Sequence, residues 1–218
     1  MATITVNGAL LAFEERGSGA ESVLMTHGFL FDHHAFDWLA AGLEDDYRCA
    51  AFDWRGQGAS EVTSDGYSVD ALTGDAAALI ERLGLAPCHY IGTSMGGWVG
   101  LRLALRRPEL LRSLVLLNSN SKGEGWAKVP GYLVMGAIAR FRGMAPLADT
   151  AMKALFSDDF LTGEEHASER ERWRQHICGI DRAGAVRTLK GIVLRAGNVT
   201  DRLADVRLPV LAIAGTED

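Results

Sequence analysis

The chain has 218 residues, 48% of them hydrophobic and 23% charged, the composition of an ordinary soluble globular domain and not of a disordered segment or a miniprotein. Its 22 basic and 28 acidic residues give a formal charge of −6, the wrong sign for a surface that gathers phosphates, so neither nucleic acid nor an anionic membrane is an expected partner. Cys49, Cys88 and Cys178 lie far apart, with no C-x-x-C pair and no histidine at ligand spacing. A zinc cluster and a disulfide framework therefore lack support, and the bland reading is reduced thiols in the cytoplasm.

Residues 1–19 have no basic n-region and no long apolar stretch, and no run of 18 apolar residues occurs anywhere, so neither a signal peptide nor a membrane span is expected. Two alternating runs, 3–6 and 10–15, flank Asn7-Gly8, where both positions accept positive φ; a β-hairpin is predicted. Short apolar runs at 22–26, 47–52, 88–91, 113–117 and 209–214 end in polar or glycine residues and read as buried parallel strands. The stretch with His33 and His34 reads as a polar loop. Residues 69–83 place Val69, Leu72, Ala76, Leu79, Ile80 and Leu83 at helical spacing, with Gly84 as the stop, and 94–107 read as a helix closed by Pro108. From 121 to 207 the pattern changes to helical pieces at 132–142, 147–156, 164–177 and 182–195 with no strand. The chain is expected to be an α/β fold, with a core over 1–120, an inserted helical lid over 121–207 and a return to the core sheet over 208–218.

The sharpest chemical signal is Gly92-Thr93-Ser94-Met95-Gly96, between the strand at 88–91 and the following helix. A serine in so tight a turn needs small neighbours, and the turn lifts its Oγ above the sheet edge beside a helix N-terminus. Ser94 is thus the candidate nucleophile. His27-Gly28-Phe29 follows the strand at 22–26, and the N–H of Phe29 is expected to pair with that of Met95 to hold the oxyanion of a tetrahedral intermediate. His27 itself, ahead of a glycine at a strand end, is expected to order the loop and not to move protons.

A third motif is Asp53-Trp54-Arg55-Gly56-Gln57-Gly58-Ala59-Ser60. In order, H-G, D-x-R-G-x-G-x-S and G-x-S-x-G resemble the α/β-hydrolase family, along the whole chain. The resemblance implies a mostly parallel sheet flanked by helices, with a helical lid, and makes the 53–60 turn structural. It also matches 208–218 to the strand that ends in G-x-x-D, which makes Asp218 the triad acid that orients the catalytic histidine. Glu217 is off that motif by one residue, and Asn118, at the other position where relatives carry the acid, has no charge to supply. The family orders its triad serine, acid, histidine. This chain stops at the acid, short of a last strand, a histidine loop and two helices that take roughly 50 residues. The expectation is therefore a C-terminally truncated chain with impaired activity, in which none of the six histidines supplies the base.

Serine at the elbow is unlike haloalkane dehalogenases and epoxide hydrolases, which use aspartate, and implies acyl chemistry. The layout is similar to 3-oxoadipate enol-lactonase-like hydrolases and carboxylesterases. Carbon-carbon bond hydrolases and cofactor-free haloperoxidases share the elbow, and the fold also hosts non-catalytic ligand-binding modules. The reading is a hydrolase acting on a small-molecule ester or lactone through an acyl-enzyme on Ser94, with no metal or organic cofactor needed by the chemistry. Phe31, Trp98 and Trp126 are read as packing in preference to pocket lining.

Overall fold

Asn7 and Gly8 both take positive φ, 46° and 75°, and their turn joins β1 (Ala2–Val6) to β2 (Ala9–Arg16) in the antiparallel hairpin expected of Asn-Gly. The computed structural model describes residues 1–122, 125–195 and 197–216. After the hairpin come β3 (Glu21–Thr26), α1 (Asp37–Leu43), β4 (Tyr47–Phe52), α2 (Val69–Leu83), β5 (Cys88–Thr93), α3 (Met95–Arg106) and β6 (Leu111–Leu117). Then α4 (Val129–Arg142), α5 (Ala148–Leu155), α6 (Asp158–Thr162), α7 (Ala167–Gly179) and α8 (Arg182–Arg195) precede β7 (Val210–Ile213). The seven strands form one sheet in the order β1-β2-β4-β3-β5-β6-β7, antiparallel as far as β4 and parallel from there on. This is the α/β-hydrolase architecture, a mostly parallel sheet flanked by helices.

The two-residue period of the strands divides the core between two faces. Val23, Met25, Cys49 and Ala51 point towards Phe36 and Ala40 at α1, while Leu24, Ala50 and Phe52 point towards α2 and α3, where Leu72, Leu79, Ile80, Val99 and Leu103 are fully buried. Ser68 caps α2 by accepting from the Ala71 N–H, and Gly84, at φ 64°, ends it in the left-handed conformation, so this helix has the bounds its spacing predicts.

A second apolar cluster lies among the helices between β6 and β7. Ala139, Met152, Trp173 and Ile177 are buried there with Leu30, and Phe29 and Phe31 pack against them. Helix α8 is shared: Ala185 and Val186 belong to this cluster and Ile192 to the main core.

Three sequence expectations need correction. The stretch at His33 and His34 is not a loop but a 3-10 turn, His33–Phe36, capped by the Asp32 side chain and continued by α1. The short helix α6 was not predicted; five residues carry too little periodicity to announce it. The strand at 209–214 forms, but it is not buried: Val210, Leu211 and Ile213 are 47%, 55% and 49% exposed. It is hydrogen-bonded to β6 on one side only. An apolar run reports a preference for burial, not whether another element covers it. No helix among the described residues is long and apolar enough to cross a membrane.

Candidate active site

Ser94 stands alone between β5 and α3, at φ 49° and ψ −112°. A left-handed φ on a residue with a side chain is sterically costly and persists only where the surroundings enforce it. They do so here through the backbone. The Ser94 N–H donates to the Leu117 carbonyl at 2.9 Å, and the Ser94 carbonyl accepts from the N–H groups of Gly97 and Trp98 and from Ser119 Oγ. Gly96 is required because a Cβ there would run into the Thr26 carbonyl of the neighbouring strand. With its backbone so anchored, the half-buried Ser94 leaves its Oγ without a hydrogen bond to any described residue.

The loop after β3 closes on the same point. A Cβ on Gly28 would sit 3.2 Å from Ser94 Cβ, so the 27–31 loop and the serine turn are in contact. Phe29 follows Gly28 and Met95 follows Ser94. Among the described residues, neither backbone N–H donates a hydrogen bond, although Met95 is buried and Phe29 half-buried. The structure therefore brings together three of the four expected site residues, Ser94, Phe29 and Met95, at the C-terminal ends of the parallel strands, where α/β sheets bind their ligands. The fourth, Asp218, lies outside the described residues, as does Glu217.

Thr216, two residues earlier, lines a cavity of about 400 Å3 together with Asn118, Lys153, Phe156, Ser157 and Gly215. Asn118 holds this edge: its N–H donates to the Ile213 carbonyl at 2.9 Å, and its Oδ1 accepts from the Gly215 N–H at 3.2 Å. Asn118 has φ 44°, a conformation that asparagine tolerates better than most residues. Its positioning role was not read from the sequence; the signal was an asparagine directly after an apolar strand.

His27, His89, His166 and His176 each have a partner other than Ser94. His27 is fully buried, donates from Nδ1 to the Gly28 carbonyl at 2.7 Å and accepts at Nε2 from the Trp54 N–H at 3.3 Å. Both ring nitrogens are used, and burial holds its pKa below the usual histidine range. It orders the loop, as expected. His89 sits near the start of β5, bonded to Ser113 and facing Glu21, so five residue steps along the strand, about 16 Å, lie between it and Ser94. His166 stacks on Phe160. His176 lies in a charged helix yet is turned largely away from solvent. Its Nδ1 lies 3.2 Å from Asp32, and its Nε2 is buried without a partner among the described residues. Burial works against ionising Asp32, but the hydrogen bond and charge of His176 hold that carboxyl down at about 2. The missed signal was Trp173, His176 and Ile177, apolar or inward at helical spacing within a charged helix.

Phe31 meets Trp173 and Phe156 edge to face, with centroids 4.9 and 5.8 Å apart, and Trp98 is 4% exposed in the main core. Both are packing residues. The side chain of Trp126 lies outside the described residues. The 53–60 motif is likewise structural: Arg55 pairs bidentately with Asp75 of α2 at 2.7 Å, and Ser60 Oγ bridges the Asp53 carbonyl and the Ala12 N–H.

Known proteins are similar to this chain in sequence and fold. The 3-oxoadipate enol-lactonase 2 of Acinetobacter baylyi is 29% identical over 179 residues, which are 82% of this chain and 64% of that protein. This chain thus spans less than two thirds of that relative's length. The solved enol-lactonase from Burkholderia xenovorans LB400 superposes with a TM-score of 0.90 at 25% identity, covering 99% of this chain and 81% of the other. A thermophilic esterase from Thermogutta terrifontis does so at 0.88 and 26%, covering 98% and 78%. The sequence profile of the alpha/beta hydrolase fold matches residues 21–218. With that match, the sheet order and the serine turn at Ser94, the chain belongs to the alpha/beta hydrolase fold family.

Proposed function

We propose that this protein hydrolyses a small-molecule carboxylic ester or lactone through an acyl-enzyme on Ser94. The observation that carries this reading is the place of Ser94: a strained turn between β5 and α3, with an Oγ and two neighbouring backbone N–H groups, of Phe29 and Met95, that have no hydrogen-bond partner among the described residues. Ser94 Oγ attacks the carbonyl carbon, and the N–H groups of Phe29 and Met95 take the oxyanion, aided by the positive end of α3. A histidine base, oriented by Asp218, takes the Oγ proton and gives it to the leaving alcohol oxygen as the acyl C–O bond breaks; water, giving its own proton to the same base, then releases the acyl group from Ser94. Residues 121–207 act as a lid over the site, resting on the 27–31 loop through the helical cluster. The solved relatives named as an enol-lactonase and an esterase support both substrate classes.

The test is turnover of p-nitrophenyl acetate and of a simple lactone by the protein at its full natural length. Ser94→Ala is expected to lower both rates by at least ~1,000-fold while the fold, followed by circular dichroism, is kept. A variant that retains the wild-type rate would show that Ser94 is not the nucleophile. A wild type inert towards every ester and lactone tried would favour a ligand-binding role instead.

A further inference from the structure

We propose that Glu14, His33 and His34 form a binding site for one divalent zinc-class cation, apart from the Ser94 chemistry. One ligand atom from each of the three lies within 4.8 Å of the other two, and none of the three lines the cavity beside Asn118. Each imidazole has a carboxylate behind it. His33 Nδ1 is 2.8 Å from Asp53 Oδ1 and His34 Nδ1 is 3.0 Å from Asp37 Oδ2. A carboxylate only accepts, so each ring donates from Nδ1 and keeps its lone pair on Nε2. A carboxylate behind each histidine is the arrangement that fixes tautomer and ring angle in protein zinc sites.

The spacing fits as well. His33 Nε2 faces Glu14 Oε2 at 3.7 Å, too far for a hydrogen bond. Zinc bonds to nitrogen and oxygen at tetrahedral angles put donor atoms about 3.4 Å apart, a shift of a few tenths of an ångström. The two rings lie 4.1 Å apart between centroids and are tilted by 34°, closer than the roughly 5 Å of two imidazoles on one tetrahedral zinc, so binding requires the exposed His34 ring to swing outward. A cavity of about 10 Å3 touches Glu14, Arg16, His33 and Asp37, whereas His34 lines, with His33, an open cavity of about 420 Å3 on the outer side, so the ion would sit at the mouth between the two.

Charge favours a dication. Arg16 pairs with Glu14 through Oε1 and with Asp37, leaving Glu14 Oε2 for the metal. Three carboxylates, Glu14, Asp37 and Asp53, against one guanidinium leave two negative charges when both imidazoles are neutral. Two histidines and a carboxylate suit zinc better than calcium or magnesium, which favour all-oxygen shells. The fourth position is open to water. Such an ion would tie β2 to the turn that directly follows the 27–31 loop.

Equilibrium dialysis of the chelator-stripped full chain against zinc chloride tests the site. One zinc per chain is expected, with affinity at least ~10-fold weaker in Glu14→Gln and in His34→Ala. These side chains are half-buried and exposed, so both variants are expected to fold. Cobalt(II) should give the visible absorption of a four-coordinate ion in the wild type and lose it in both variants. His166→Ala serves as a control, because the exposed group Asp159, Glu165 and His166 also has ligand spacing. Absence of saturable zinc binding overturns the proposal. So does loss of binding in His166→Ala alone, or wild-type affinity in both Glu14→Gln and His34→Ala.

Discussion

At Ser94 a single residue carries two separable properties, the proposed nucleophile and a strained backbone. With φ 49° and ψ −112°, the residue occupies a region that L side chains adopt at a cost of about 1–3 kcal/mol. Ser94→Gly removes the side chain that makes this conformation costly, and also makes the unfolded chain more flexible, which offsets part of the gain. The net expectation is a stability increase of about 1 kcal/mol in urea unfolding, accompanied by complete loss of hydrolysis. A variant no more stable than the wild type would mean that Ser94 is held there without strain. In the expected outcome, stability and activity move in opposite directions at one position, a trade common at active sites.

Among the elements, burial separates strands that look alike in sequence. Leu114 in β6 is 0% exposed and packs in the main core, whereas Leu211 in β7 is 55% exposed. Leu114→Ala is expected to cost about 2–5 kcal/mol and Leu211→Ala under about 1 kcal/mol, measured by urea unfolding of the 218-residue chain. Similar losses at both would show that β7 is covered in solution. This contrast also marks what could be read in advance. Alternation and local caps are encoded within a few residues, so the hairpin at Asn7-Gly8, the helix ending at Gly84 and the turn at Ser94 were legible. The exposure of β7 is not encoded in its own apolar residues, because it depends on what lies across the strand; it was legible only through the resemblance, which implies a further strand beside this one. The pairing of Asp32 with His176, residues 144 positions apart (176 − 32), was not legible, since no local pattern joins them.

For the whole molecule, the question is how the helices between β6 and β7 connect to the loop at the proposed site. The join is narrow. Phe31 stands edge to face with Trp173 of α7 and with Phe156, which follows α5, and the next residue, Asp32, pairs with His176 of α7. Four consecutive positions, Phe29 to Asp32, thus run from the proposed oxyanion donor to the anchor of the helical layer. The sheet beneath has its own core, built from α2, α3 and the strands, to which α8 adds Ile192. Phe31→Ala removes an aromatic anchor worth about 2–3 kcal/mol to that join while leaving the sheet core untouched. Hydrogen exchange is therefore expected to quicken in α5 and α7 but not in β3, β4 and β5, because local opening falls below global unfolding in free energy. Ester turnover should fall together with this local protection, since the loop that carries Phe29 loses its support. Faster exchange throughout the sheet as well would mean that the two layers unfold as one cooperative unit. The idea of a helical layer coupled to the site through Phe31 would then be wrong.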